Sequence, residues 1–265
     1  MDSIPIVVLF LITFILIAGA IELGYRAGDT HPEQSKKDKE TITSTNSAAI
    51  LGLLGFILVF TFGIVYSRYD SKKELVREEA NIIRTAYLRS EFLDEKDQHE
   101  TLTLLKKYVD DRINAVRSSN ADTVQAMLKE SAGIQRRTWE LAVVNARKDL
   151  NSDIGALYIE SLNEMFNVQA LRVAVGLQAR IPTVIILMLF SLVVLGMFGV
   201  GYQASIAGSS RRSWLTPVMV ITFALVITLI VALDRPNSGI LPVTQQPLID
   251  LRAWMDDSAK VPLVP

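Results

Sequence analysis

Four uncharged apolar blocks alternate with charged stretches along the chain. The first runs from Ile4 to Ala20 and closes at Glu22. The second extends over 41–67 with its apolar heart at 48–66, the third covers 181–210, and the fourth 213–233. At about 1.5 Å of rise per residue, each block is of a length suited to a hydrocarbon layer roughly 30 Å thick. Continuous apolar runs exclude the alternating pattern of barrel strands, so the blocks predict four spanning helices whose backbone groups bond internally. A cleaved signal peptide needs a basic opening stretch, whereas Met1-Asp2-Ser3 is acidic, and the first block is therefore read as a span.

Between the second and third blocks the pattern changes to a charged helical one. No proline occurs between Glu33 and Ile181, and only Gly133, Gly155 and Gly176 interrupt the stretch from Arg68 to Arg180. Val76, Ala80, Ile83 and Tyr87 recur at the spacing of one helical face, on a helix that continues directly from the second span. Asp97 with Glu100 resembles a capping box for a helix to about Arg117. Ser119 with Asp122 can open the next, and Asn151, Ser152 and Asp153 open a third that runs to Arg180. Pro182 suits the first turn of span 3. After Leu233 a turn-forming string leads to Pro247 and a short amphipathic helix with Leu248, Leu251, Trp254 and Met255 on one face, which docks on the bundle or lies at the headgroups.

The fold expected is an all-α membrane protein: four transmembrane helices, with a long-helix bundle extending from the membrane between spans 2 and 3. Its parts are 1–67 (spans 1 and 2 with a polar loop at 22–46), 68–180 (the bundle), 181–233 (spans 3 and 4) and 234–265 (an extended tail). An even number of spans puts both termini and the bundle on one side. Basic residues flank both sides about equally, so the charge rule does not choose which side is cytoplasmic.

Composition removes most chemistry. With no cysteine there is no disulfide, thiolate metal site or cysteine nucleophile, and a net charge of -1 offers no global field for nucleic acid. The bundle carries 18 basic and 18 acidic residues by direct count, a solvated surface. His31 and His99 lack the spacing of a zinc-protease helix, and Gly196, Gly199 and Gly201 lie inside a span, where small residues let helices approach. Glu78, Glu79 and Asp70 with Arg77 are read as ion pairs on a helix surface. No enzyme, cofactor or metal is expected. Span interiors hold almost no ionisable side chain, which argues against a proton-coupled transporter. Phe56 and Phe60, one turn apart on span 2, suit either a hydrophobic pore constriction or membrane packing. Arg68, Asp70, Asp234 and Arg235 stand at span ends, as interfacial anchors or as charges at a pore mouth.

Several strings in one order carry a resemblance: Ser67-Arg68-Tyr69-Asp70, then Glu78-Glu79-Ala80-Asn81, Thr85-Ala86-Tyr87-Leu88-Arg89, Leu162-Asn163-Glu164-Met165, Arg180-Ile181-Pro182, Gly201-Tyr202-Gln203, and Leu233-Asp234-Arg235-Pro236 with Gly239 and Gln245-Gln246-Pro247. Together they resemble the bacterial bestrophin-like membrane proteins, distantly similar to bestrophin anion channels, over nearly the whole chain. The resemblance implies a pentamer in a bacterial inner membrane, with both termini and 68–180 cytosolic, and a pore lined by span 2. By position it implies Phe56 and Phe60 as neck candidates. The function expected is an oligomeric channel for small inorganic ions, with the lipid bilayer and copies of itself as partners and no nucleic acid. The alternative is a non-conducting scaffold or sensor whose bundle binds a partner or ligand.

Overall fold

The computed structural model describes residues 4–30, 33–118, 120–178, 180–208, 215–235 and 242–258; Ser119, Pro236 and Gly239 lie outside them. Helices α1 (Ile6–Asp29), α2 (Glu33–Arg89), α3 (Glu95–Arg117), α4 (Ala121–Ala146), α5 (Asp153–Val173), α6 (Thr183–Ile206), α7 (Leu215–Asp234) and α8 (Gln246–Ser258) follow one another, and no strand occurs among the described residues. Among the described residues, four helical stretches are long and apolar enough to cross a membrane: Ile6–Asp29, Glu40–Phe92, Thr183–Ile206 and Thr216–Asp234. The protein is an all-α integral membrane protein.

The chain divides into two compact units, Met1–Tyr69 with Arg180–Pro242, and Asp70–Ala179 with Val243–Pro265. The span unit buries Ile17 and Ile21 of α1, Leu54, Leu58 and Val65 of α2, Leu189, Val193 and Met197 of α6, and Ala224, Ile227 and Ile230 of α7 in one apolar core. Three of its buried hydroxyls turn back on their own helices, while Ser47 of α2 donates across to the Gly199 carbonyl of α6 at 3.3 Å. Thr13, Thr61 and Thr228 donate to the carbonyls of Leu9, Ile57 and Ala224 at 2.9, 2.8 and 2.6 Å, so no hydroxyl hydrogen is left facing hydrocarbon at these positions. Helices α1 and α6 touch backbone to backbone. A Cβ on Gly201 would lie 2.0 Å from the Ile21 carbonyl oxygen, and one on Gly24 2.0 Å from that of Phe198.

The second unit packs the later part of α2 with α3, α4, α5 and α8 around Val76, Ile83, Tyr87, Leu105, Tyr108, Leu162, Met165, Leu248 and Met255. Helix α8 lies in this core, with Leu248, Leu251 and Met255 buried. Between the two docking sites that the sequence leaves open, bundle and headgroups, the structure has the bundle.

Several local expectations are corrected. The stretch 22–46 is not a polar loop: α1 runs on to Asp29 and α2 begins at Glu33. Glu22, Leu23, Arg26 and Ala27 on one side, and Glu33, Gln34, Lys36 and Lys37 on the other, are good helix formers, and charge ends a hydrophobic run without ending a helix. Asp97 does not cap α3, which starts at Glu95 after the 3₁₀ turn Ser90–Phe92; the Asp97 carboxylate instead accepts from the Asn145 amide of α4 at 2.6 Å. Asn120 caps α4, accepting from the Asp122 N–H at 2.9 Å, while Ser152 caps α5, accepting from Gly155 N–H at 3.1 Å. Helix α5 does not continue unchanged to Arg180, because Ala174–Gln178 forms a π-helical turn. Pro182 takes the position just ahead of α6, with ψ 132°, and not its first turn.

Candidate functional site

On α2 the sequence places a buried stripe at Leu54, Leu58, Thr61 and Val65, apolar but for Thr61, against the other spans. The opposite stripe holds Gly52, Leu53, Phe56, Val59, Phe60, Gly63 and Ile64, all exposed in the single chain. Phe56 and Phe60 are 68% and 65% exposed, and their rings stack with centroids 6.5 Å apart. A Cβ on Gly52, Gly55 or Gly63 would meet no atom within 4 Å. Two aromatic rings and a row of small residues thus share a face of α2 that the chain itself does not cover.

At one end of the span unit, the charged candidates are partly brought together. Asp234, at the end of α7, accepts from the Ile181 N–H at 3.1 Å, and Arg68 of α2 stands 3.9 Å from the same carboxylate oxygen. Arg235 donates to the Ile4 carbonyl at 2.6 Å. These contacts tie the ends of spans 1, 2, 3 and 4 to one another. Asp70 belongs to the other unit and pairs with Lys73 at 3.8 Å. Tyr69 packs on the span core, and Arg180 is exposed just before α6.

The bundle holds the feature that surface reasoning misjudges. Glu79 is fully buried, not on the helix surface. Its Oε1 accepts from Arg112 Nε at 2.9 Å and from the Tyr108 hydroxyl at 3.4 Å, and its Oε2 accepts from Arg172 Nη1. Arg172 Nη2 donates on to Gln245 Oε1 at 3.0 Å. Burial lowers the pKa of both guanidinium groups, that of Arg172 to about 10, which leaves them charged at neutral pH. Burial also pushes the Tyr108 hydroxyl up to about 12, so it stays a donor. A carboxylate with two guanidinium groups and a phenol is a structural ion cluster, with all the buried charge hydrogen-bonded. Tyr108, Arg112 and Arg172 are not among the candidates from sequence, and Gln245 enters there only as part of the Gln245-Gln246-Pro247 string. The signal is periodicity: Glu79 stands three after Val76 and four before Ile83, and Arg112 falls between Tyr108 and Ile113 on the buried face of α3.

The remaining motif residues divide. Tyr87 is buried, donates to the Met255 carbonyl at 3.3 Å and meets Trp254 edge-on at 5.6 Å. Arg89 donates to the Leu157 carbonyl at 2.6 Å. Asn81, Asn163 and Glu164 are exposed. Among the described residues no cluster of three or more histidine, aspartate or glutamate side chains could hold a metal ion.

The Bestrophin-like domain family model matches residues 12–248, from the first span to the start of α8. The chain belongs to the Bestrophin-like family. No curated protein and no solved structure matches it.

Proposed function

We propose that the protein is an oligomeric ion channel whose subunits surround an axial pore lined by the uncovered face of α2. The observation that carries this reading is that face: Phe56 and Phe60 exposed one turn apart, beside glycines open to close approach, in a family named for bestrophins. A ring of such phenylalanines, one pair per subunit, narrows and dries a pore without any charged group. The glycines let neighbouring helices approach closely. The reading takes the assembly as a pentamer in a bacterial inner membrane, with termini and bundle cytosolic, and as a passive conduit and not an enzyme.

Purified, monodisperse protein in planar bilayers tests it. Conductance for a common anion or cation is expected, and Phe56→Ala with Phe60→Ala should raise the leak. A folded oligomer that conducts no ion would overturn the channel and leave a membrane scaffold; unchanged conductance in the double variant would remove the two rings from the constriction.

A further inference from the structure

Glu79 costs the bundle desolvation that an apolar side chain would avoid, so what its contacts join is informative. Its partners come from three other segments: Arg112 and Tyr108 from α3, Arg172 from the end of α5, and, through Arg172, Gln245 from the strap ahead of α8. Three of the segments in this cluster are the ones by which the bundle is covalently joined to the spans. Helix α2 is continuous from span 2 through Glu79. Arg172 stands two residues before the π-helical turn Ala174–Gln178, after which the chain enters span 3. Gln245 lies on the chain returning from span 4 and is pinned again by its own amide, which donates to the Val243 carbonyl at 3.0 Å. The one segment with no direct link to a span, α3, supplies the second cation and the phenol, and so fixes the carboxylate from the far side.

We propose that the Glu79 carboxylate is a coupling node, which holds the continuation of span 2, the lead into span 3 and the strap from span 4 as a single piece, so that a rearrangement of the bundle reaches all three together. The π turn Ala174–Gln178 interrupts the regular helix just beyond Arg172, a geometry that recurs at functional sites. The inference concerns the bundle and its connections and stands whether or not the assembly conducts.

The absence of cysteine allows site-directed labels without a background. Spin labels at Ser71→Cys on α2 and Thr183→Cys at the start of α6 report how firmly span 3 is held to α2. A separate thiol at Val243→Cys reports the strap, and one at Ser131→Cys, buried on α4 outside the cluster, reports the bundle core. In Glu79→Gln, reconstituted in lipid, maleimide labelling at 243 should rise about tenfold or more, because the strap opens without the rest. The distance distribution between labels at 71 and 183 should broaden, and labelling at 131 should stay within about twofold. Glu79→Asp, which keeps the charge, should fall between the two. An unchanged distance distribution would overturn the node. So would an equal rise at 243 and 131, which would mean that Glu79 only holds the bundle together.

Discussion

One helix, α2, passes through two units that are held together by different physics. In the span unit the pairing of α1 with α6 rests on backbone contact at Gly24 and Gly201, and the described buried residues include hydroxyls but no charged side chain. In the bundle the core is apolar, but a carboxylate and two guanidinium groups are buried inside it. The difference follows the solvent. Against hydrocarbon, covering a leucine gains little, so close packing of small residues has to specify which helices pair. Against water, hydrophobic burial supplies the stability of the bundle, and the ion cluster can be used for position at a tolerable cost.

The comparison breaks most easily at Glu79. Glu79→Leu should destabilise the bundle by about 3–5 kcal/mol, because Arg112 and Arg172 are left buried without their shared acceptor. Combining it with Arg112→Met should recover part of that loss, since one orphaned charge is removed along with its partner. Thermal unfolding of the purified variants measures both. A double variant no better than the single one would mean that the cluster does not act as a pair of opposed charges.

The corresponding break in the span unit is steric. Gly201→Val puts carbon where the Ile21 carbonyl already lies and should cost about 1–3 kcal/mol, with a loss of monodisperse protein. Gly63→Ala meets nothing within the chain and should stay within about 1 kcal/mol, in either direction, of the parent. If Gly63→Ala is instead as damaging as Gly201→Val, that face of α2 is tightly covered by a neighbouring subunit, which sharpens the contrast between the two faces.

What sequence could and could not show divides along the same line. The four spans were legible because hydrocarbon tolerates only long uncharged runs, and the runs stand out in a chain with charged stretches between them. Helix ends were less so. Glu22–Asp29 and Glu33–Glu40 have the polarity of a loop, although nothing in most of those residues opposes a helix. The capping signals at 151–153 found their helix, whereas Asp97 carries the same local pattern but gives its carboxylate to Asn145, a partner distant in sequence. Glu79 shows the deeper limit. Its position on the apolar stripe marks it as buried, but its partners lie on α3 and α5, and which cation reaches it depends on packing that no local window contains.

A smaller effect separates the units by pH. Burial raises Tyr108 and Tyr158 of the bundle from their ordinary 10 to about 12. With the folded value above the unfolded one, each contributes stability that is fully present below about pH 10 and is lost as pH rises toward 12, by about 1.4 kcal/mol per unit of pH. The slope is negative because the unfolded chain releases these protons first. Chemical denaturation of the protein at successive pH values should show it, with Tyr108→Phe shallower than the parent; equal slopes would remove Tyr108 from the account.

The smallest effect lies on the bundle surface. Arg252 of α8 donates to Asp110 of α3 at 2.9 Å and reaches Asp256 at 2.5 Å, while Lys106 stands 3.1 Å from Asp256. These groups are a quarter to a half exposed, so screening removes most of their attraction. Arg252→Ala should therefore cost about 0.2–1 kcal/mol, and less in 1 M salt, where the screening length is near 3 Å. The contrast with Glu79 lies in burial and not in the kind of group, since both are guanidinium–carboxylate contacts between helices. Should Arg252→Ala cost as much as Glu79→Leu, with no dependence on salt, the surface ring around α8 would be holding the helix as firmly as the buried cluster holds the strap. The node would then have to be sought in both places.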